Sequence, residues 1–243
     1  MNKVALVTGS SRGIGKAIIT DIAKKGYNVV INYIKEYNEA EKLKEKLENE
    51  YSIRALTIKA DVSSEDEVQE MLANIKKEFK RIDVLVNNAG IAIDKEFEDR
   101  TVEDWKRTLS VNLIAPFIVS KYVGNEMLKN KSGKIINISS TNGINAFFPT
   151  SIDYDASKAG VINLTHNLAI QFAPYINVNC VAPGWVNTDM NKELPKDLIE
   201  EETNRIYKKR FAEPSEIAKV VTFLASDDAD FINDEIIKVD GGY

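Results

Sequence analysis

Tyr154 and Lys158 are the two residues whose types and spacing most suggest acid–base chemistry. They are four positions apart, so a helix would place both side chains on one face. A phenol has an ordinary pKa of about 10 and is a poor proton donor at neutral pH, whereas a neighbouring ammonium group favours its ionised form. The same spacing is common by chance, as a surface tyrosine beside a solvated lysine, and the pair alone leaves both interpretations open.

A glycine-rich stretch directly after the first apolar run is the second chemically informative segment. Gly9, Gly13 and Gly15 follow Val4–Val7 and precede a helical pattern that begins near Ala17. Glycine accepts positive φ and lets a pyrophosphate approach the free amides at the start of a helix. The spacing departs from Gly-x-Gly-x-x-Gly, and a plain strand-to-helix turn is the alternative. Its place at the first strand–helix junction favours a dinucleotide site.

The residues around this junction bear on which dinucleotide would bind. NAD-binding domains usually carry Asp or Glu about 20 residues further on, to bind the ribose 2′-hydroxyl. Here the second apolar run ends in the uncharged Asn32, while Arg12 lies in the glycine segment and Lys35 follows. A 2′-phosphate would meet positive potential, so the sequence predicts NADPH over NADH. The alternative is that Arg12 is a solvated loop residue and that the preference is weak.

The elements that must position these residues alternate along the chain. Short apolar runs rich in β-branched residues take turns with longer amphipathic segments, which predicts an α/β fold in which helices cover both faces of a parallel sheet. The charged segment from about residue 187 to 210 does not follow the pattern and is interpreted as a substrate flap within a single domain spanning residues 1–243. Seven strands are predicted, at Val4–Val7, Val29–Ile31, Ala55–Ile58, Val84–Val86, Ile135–Ile138, Val178–Val181 and Ile236–Val239.

Composition excludes several classes of protein. The 243 residues include 32 basic and 37 acidic ones, a net charge of −5, which argues against a strongly cationic nucleic-acid or membrane-surface protein. No run approaches the roughly 18 apolar residues of a membrane span, and the N-terminal apolar run is too short for a secretion signal. Cys180 is the only cysteine. We therefore expect a soluble cytoplasmic protein with no metal site.

An ordered set of motifs identifies a family. The sequence resembles the short-chain dehydrogenase/reductase family from Val4 to Gly242, and most of all its 3-oxoacyl-acyl-carrier-protein reductase branch. This resemblance implies a doubly wound Rossmann fold, a nicotinamide cofactor and a homotetramer. The matching residues are Thr8-Gly9-x-x-x-Gly13-Ile14-Gly15, Asp61-Val62, Asn87-Asn88-Ala89-Gly90, Asn112, Ser140, Tyr154-x-x-x-Lys158 and Pro183-Gly184.

The resemblance also implies a catalytic tetrad of Asn112, Ser140, Tyr154 and Lys158. Ser140 would bind the carbonyl oxygen and Tyr154 would protonate it. Lys158 would lower the pKa of the phenol and hold the nicotinamide ribose, and Asn112 would anchor a proton-relaying water. For Asn112, a polar residue that satisfies a helix break is the alternative. Ser140 is preferred to Ser139 because it closes the I-x-S pattern, although one residue more than the family pattern separates it from Tyr154.

The implied reaction is the NADPH-dependent reduction of a carbonyl to a secondary alcohol, with a free or acyl-carrier-linked 3-oxoacyl thioester as substrate. Apolar residues such as Phe147, Phe148 and Trp185 suit such a substrate, or are simply core packing. Ile170 stands where this branch often carries Arg or Lys. The alternatives are a broad-specificity alcohol dehydrogenase or sugar ketone reductase, and a nucleotide-binding protein without turnover. The predicted cofactor contacts are Gly9, Ser11, Arg12, Gly13, Ile14, Gly15, Asn32, Asp61, Val62, Asn88, Ala89, Gly90, Tyr154, Lys158, Pro183, Gly184, Val186 and Thr188.

Overall fold

Each of the seven apolar runs forms a strand in the computed structural model, which describes residues 2–192 and 194–243. All six neighbouring strand pairs are parallel, in the order β3-β2-β1-β4-β5-β6-β7. The predicted seven-stranded parallel sheet is therefore confirmed. The strands are β1 Val4–Val7, β2 Asn28–Tyr33, β3 Ala55–Lys59, β4 Val84–Asn87, β5 Gly133–Ile138, β6 Ile176–Pro183 and β7 Ile236–Val239.

Helices cover both faces of the sheet, as predicted. Successive strand residues point to opposite faces, so that Ala5 and Val7 pack under helices α1, α2 and α8, whereas Val4 and Leu6 pack under α3, α5 and α6. This is the doubly wound arrangement. The helices are α1 Gly13–Lys24, α2 Tyr37–Tyr51, α3 Glu65–Phe79, α4 Val102–Leu109, α5 Ala115–Lys129, α6 Ile152–Phe172, α7 Lys196–Arg205 and α8 Pro214–Leu224.

The strand order creates a crevice at one edge of the sheet. The chain builds β1, β2 and β3 outward in one direction and then continues with β4 on the other side of β1. The connections that leave β1 and β4 therefore diverge, and in sheets of this kind ligands bind at that point, outside the carboxyl ends of the strands. Every strand ends at this same edge, because all are parallel.

The segment interpreted as a flap is more regular than the sequence suggests. It contains a short 3-10 turn at Asp189–Asn191 and the ten-residue helix α7. Among the described residues, no helix is long and apolar enough to cross a membrane.

Candidate active site

The glycine-rich segment forms a tight turn between β1 and α1. Gly9 and Gly13 have φ values of 61° and 56°, in the left-handed region that glycine adopts without strain. A Cβ atom on Gly15 would lie 2.5 Å from the side-chain nitrogen of Asn88, so no larger residue fits. Helix α1 has no side-chain cap and no acidic residue in its first turn. Its free amides are therefore available to an anion.

Asn32, at the end of β2, points into the protein. Its side chain is 1% exposed, and its Oδ1 accepts the N–H of Gly9 at 3.0 Å. Its Nδ2 donates to the carbonyl of Ala60 at 3.0 Å and, more weakly, to that of Ile58 at 3.4 Å. The sequence predicts Asn32 as a cofactor contact, whereas these bonds show its amide engaged in holding the glycine turn.

Arg12 lies within this turn, directly before α1. Its side chain is 64% exposed, and its Nε lies 3.8 Å from a carboxylate oxygen of Glu36, too far for a hydrogen bond. The Arg12 side chain is therefore free to reorient toward an anionic ligand.

Ser11 and Ile14 are the other two predicted cofactor contacts in the turn. Ser11 is buried and Ile14 is half-buried.

The end of β4 is tied to the glycine turn. The backbone N–H groups of Asn88 and Ala89 donate to the Thr8 hydroxyl at 2.9 and 3.0 Å. The amide nitrogen of the Asn88 side chain donates to the carbonyls of Thr8 and Gly9 at 2.9 and 3.2 Å. These bonds fix the two diverging connections of the crevice relative to each other.

Two more predicted contacts lie just after β3. The Asp61 carboxylate accepts the backbone N–H of Ser63 at 2.9 Å and its hydroxyl at 2.6 Å, which shapes the turn before α3. Val62 is buried. Both residues stand at the carboxyl edge of the sheet, where the crevice opens.

The connection after β6 reaches the same place. Pro183 ends β6, and the N–H of Gly184 donates to β7 at 3.1 Å. Val186 is buried. The Thr188 methyl lies 4.0 Å from where a Cβ atom on Gly13 would stand. Thr188 therefore faces the glycine turn, although 175 positions separate it from Gly13 in the sequence.

Lys158 and Tyr154 occupy the first turns of α6, on one face as predicted. The Lys158 ammonium lies 5.4 Å from the centre of the Tyr154 ring and donates to the carbonyl of Ile138 at 3.0 Å. A Cβ atom on Gly90 would stand 3.5 Å from that ammonium and 3.4 Å from Oδ1 of Asn112. Lys158 and Asn112 thus meet next to Gly90, and the Tyr154 ring lies next to Lys158.

Asn112 lies in a π-helical turn, Ser110–Ile114, between α4 and α5. Its Oδ1 accepts the N–H of Ile91 and its Nδ2 donates to the carbonyl of the same residue, both at 2.8 Å. The Nδ2 also donates to the hydroxyl of Ser157 at 3.1 Å. Asn112 therefore lies at a helix break, as one sequence interpretation predicts, and close to Lys158 beside Gly90. Isolated π-turns of this type occur often at functional sites.

The two consecutive serines after β5 differ in their contacts. Ser139 donates to the backbone carbonyl of Lys158 at 2.8 Å and is buried. Ser140 contacts Asn142 instead, accepting its N–H at 3.2 Å and donating to its Oδ1 at 3.1 Å. The Asn142 amide in turn donates to Asp155 at 2.7 Å. The Ser139 hydroxyl is therefore bound to the backbone of α6, and Ser140 stays the predicted catalytic serine.

Burial moves the pKa values of the acid–base pair in opposite directions. It raises the pKa of Tyr154 to about 12, against a smaller lowering effect of the Ser140 hydroxyl. It lowers the pKa of Lys158 to about 8. The sequence predicts that Lys158 lowers the pKa of the phenol, whereas in this structure loss of solvent dominates. At neutral pH the phenol therefore holds its proton, as a proton donor must.

Aromatic residues line one side of this region. The Trp185 ring stacks on Phe211 at 5.4 Å and meets the edge of Phe148 at 5.6 Å. Its indole N–H donates to the buried carboxylate of Glu202 in α7 at 2.8 Å. Phe147 is exposed and does not join the cluster. Sequence reasoning missed Glu202, which lies within the charged flap segment, and Phe211, which follows directly after it.

The single histidine is outside this site. Nδ1 of His166 lies 2.6 Å from the carboxylate of Asp234 at the surface. In the part of the chain that the structure describes, no group of three or more His, Cys, Asp or Glu side chains could hold a metal ion.

A doubly wound parallel sheet with a glycine turn after its first strand is typical of the class of dinucleotide-binding proteins. Residues 9–243 match the family profile described as enoyl-(acyl carrier protein) reductase. The chain is 41% identical to a 3-oxoacyl-acyl-carrier-protein reductase of Staphylococcus epidermidis, over 100% of this chain and 99% of that one. The chain belongs to the short-chain dehydrogenase/reductase family and is an oxidoreductase acting on CH–OH and C=O groups.

Solved structures show the same architecture. A protein of Agrobacterium tumefaciens proposed to be a gluconate dehydrogenase superposes with a TM-score of 0.94 at 33% identity, covering 98% of this chain and 94% of that one. An NADPH-dependent 3-quinuclidinone reductase of Rhodotorula rubra gives a TM-score of 0.93 at 26% identity, covering 99% and 91%.

Proposed function

We propose that this protein uses NADPH to reduce the ketone of a 3-oxoacyl thioester to the 3-hydroxyacyl thioester. The observation that carries the proposal is that Lys158 and Asn112 lie beside Gly90, with the Lys158 ammonium 5.4 Å from the centre of the Tyr154 ring and the Ser140 hydroxyl hydrogen-bonded to Tyr154. The chain also matches a 3-oxoacyl-acyl-carrier-protein reductase over its whole length. Two hydroxyl donors next to each other suit one developing oxyanion.

The residues of the crevice fit a nicotinamide dinucleotide. The uncapped start of α1 and the left-handed glycines form a cradle for a pyrophosphate. Arg12 can bind a 2′-phosphate with its exposed guanidinium. Thr188 faces the glycine turn from the other side and would contact the nicotinamide end. When bound, the reduced cofactor supplies the hydride that the carbonyl carbon receives.

The catalytic side chains neutralise the charge that hydride transfer creates. Negative charge grows on the carbonyl oxygen, and Ser140 donates a hydrogen bond to it. Tyr154 gives its proton to the same oxygen, so that the product is an alcohol. Lys158, with its ammonium 5.4 Å from the ring centre, stabilises the tyrosinate that remains. Asn112 would anchor a water molecule through which a proton from solvent returns to Tyr154.

The acyl chain would pack against the aromatic cluster of Phe148, Trp185 and Phe211. Ile170, where the resemblance leads us to expect a basic residue, is 76% exposed and offers an acyl carrier protein no positive charge. The NADPH oxidation assay therefore measures the free thioester and the carrier-linked thioester as two separate substrates.

Steady-state oxidation of NADPH tests the proposal. We expect turnover with acetoacetyl thioesters, and Tyr154→Phe should lower kcat by about 100-fold or more because the proton donor is lost. Binding of NADPH, measured by fluorescence titration, should be retained in this variant, because the many other predicted cofactor contacts stay in place. Failure to reduce acetoacetyl thioesters in either form would refute the substrate, and full turnover by Tyr154→Phe would refute its role as the acid.

A second candidate is a broad-specificity alcohol dehydrogenase or sugar ketone reductase. The likeness to an NADPH-dependent 3-quinuclidinone reductase and to the Agrobacterium protein favours it. Small ketones, sugar acids and an enoyl thioester belong in the same assay panel. A kcat/KM for one of these far above that for the acyl thioesters would select this alternative.

We also propose that the protein works in the cytoplasm as a homotetramer. Ile114 at the end of the π-helical turn, Phe117 in α5 and Ile170 in α6 are exposed apolar residues. Such surfaces are often covered by another subunit. Light scattering coupled to size-exclusion chromatography gives the mass in solution, and a monomer would refute the tetramer.

A further inference from the structure

A buried ion pair joins Arg100 to Asp153, the residue before Tyr154. The Arg100 side chain is 2% exposed and that of Asp153 is fully buried, with Nη1 and Oδ1 2.6 Å apart. Removing two charges from water costs much of what their attraction returns. Stability alone therefore explains such a pair poorly, and its contacts suggest another role.

The Arg100 guanidinium connects the two segments that flank the candidate site. Its Nη2 donates to the carbonyl of Ile93 at 2.8 Å and to that of Lys95 at 3.2 Å, both in the connection after β4. The same nitrogen donates to the carbonyl of Thr150, just before α6. The backbone N–H of Lys95 also donates to Thr150 at 2.9 Å. One side chain thus holds together the connection after β4 and the start of the Tyr154 helix.

The Asp153 carboxylate extends this connection to Tyr154 and to α4. Its Oδ1 accepts the backbone N–H of Tyr154 at 3.0 Å, and its Oδ2 accepts the hydroxyl of Thr108 at 2.8 Å. Thr108 is fully buried in α4. Both carboxylate oxygens therefore accept hydrogen bonds, and the first turn of α6 is held by Arg100 on one side and by Thr108 of α4 on the other.

We propose that Arg100, Asp153 and Thr108 form a positioning cluster. The cluster fixes the position of the Tyr154 phenol relative to Ser140, and it also fixes residues 91–95 in the connection after β4. This inference rests on the proposed function and names residues that serve the same site.

A second Arg–Asp pair, at the opposite edge of the sheet, supplies the control; its aspartate is buried like Asp153, whereas its arginine is 40% exposed. Arg81 binds the buried Asp83 through Nε at 2.9 Å, and Asp83 also accepts the N–H of Val4 at 2.8 Å. Residues 81–83 precede β4, so they lie at the amino edge, remote from the site. Arg81→Met therefore breaks an Arg–Asp pair without touching the proposed cluster.

The test compares Arg100→Met, Arg100→Lys, the double variant Arg100→Met/Asp153→Asn and Arg81→Met. For Arg100→Met we expect kcat for ketone reduction to fall about 10- to 100-fold, because small misplacements of a catalytic group cost that much. The affinity for NADPH should stay within about twofold. The double variant, which leaves no unpaired buried charge, should regain melting temperature but not kcat, and Arg100→Lys should regain part of kcat. Arg81→Met should lower the melting temperature and leave kcat unchanged.

A spectroscopic measurement keeps the outcome independent of turnover. Carbon-13 labelled tyrosine gives a Tyr154 ring resonance, assigned by its loss in Tyr154→Phe. We expect this resonance to move in Arg100→Met and in the double variant, and to stay in place in Arg81→Met. An unmoved resonance in folded Arg100→Met, or equal losses of kcat in Arg100→Met and Arg81→Met, would overturn the positioning role. Absence of turnover in the wild type would refute the proposed function, while the resonance would still decide this inference.

Discussion

Replacing Asn32 by aspartate tests how the nucleotide site is built. From the sequence, an acidic residue at the end of the second strand would favour NADH, because it could bind the ribose 2′-hydroxyl. In the structure the Asn32 side chain is buried and its Nδ2 donates to the carbonyls of Ala60 and Ile58. Aspartate would place an oxygen against both carbonyls. We therefore expect Asn32→Asp to destabilise the protein without creating a preference for NADH.

The expected loss follows from the bonds removed. Each buried acceptor that loses its donor costs about 1–3 kcal/mol, and the 3.4 Å contact to Ile58 counts for less than the 3.0 Å contact to Ala60. The sum is about 2–4 kcal/mol in the free energy of unfolding. For a domain of this size 1 kcal/mol lowers the melting temperature by about 2–4 °C, so the expected shift is about 4–16 °C.

Calorimetry and steady-state kinetics with both cofactors measure the outcome. We expect kcat/KM to fall for NADPH and for NADH alike, because the bond from Gly9 to Asn32 holds the glycine turn. The exposed Lys35→Glu is the control, since it changes the charge near the site with a stability change within about 0.5 kcal/mol. An Asn32→Asp protein with an unchanged melting temperature and a switch to NADH would show that the side chain faces the ribose and that our reasoning is wrong.

Three further predictions concern other residues of the site. Arg12→Leu should lower kcat/KM for NADPH about 10- to 150-fold, the kinetic equivalent of one charge-assisted hydrogen bond of about 1.5–3 kcal/mol, and should change the value for NADH little; an equal loss with both cofactors would contradict this. Ser140→Ala should lower kcat about 100-fold or more because an oxyanion donor is lost, whereas Ser139→Ala should mainly lower the melting temperature; the reverse pattern would assign the catalytic hydroxyl to Ser139. The third concerns Lys158, whose pKa is about 8 when folded against 10.5 for the free side chain. Between these values the unfolded chain binds more protons, so the stability of the wild type relative to Lys158→Met should rise with pH by up to about 1.4 kcal/mol per unit; denaturant titrations giving parallel curves would contradict it.

The sheet could be predicted from the sequence because its strands are short runs of buried β-branched residues, and such runs are typical of strands in a parallel sheet. Helix α7 could not. Its one buried residue is Glu202, whose carboxylate accepts the indole N–H of Trp185. A helix that buries a carboxylate shows no apolar periodicity, so the segment appears only as a charged stretch.

Within the candidate site, helical spacing predicts that Tyr154 and Lys158 share one face of a helix, whereas Ser140 and Asn112 are proposed from the family resemblance. Sequence spacing has limits. It could not give the direction of the Asn32 side chain, which depends on how β2 pairs with β3. Nor could it give the contact between Arg100 and Asp153, which are 53 positions apart. The pKa of Tyr154 depends on burial by residues from several elements, and charge spacing along one helix does not include that effect.

The placement of β4 next to β1 has a consequence for how the protein gains activity. The glycine turn comes from the first strand of the sheet, Tyr154 from the sixth helix and Thr188 from the connection beyond β6. No short fragment of the chain contains the whole crevice, and these contacts join segments distant in sequence, which assemble slowly. After dilution from denaturant, turnover should therefore recover later than the helical circular dichroism signal. The recovery of activity then measures how fast the complete sheet forms.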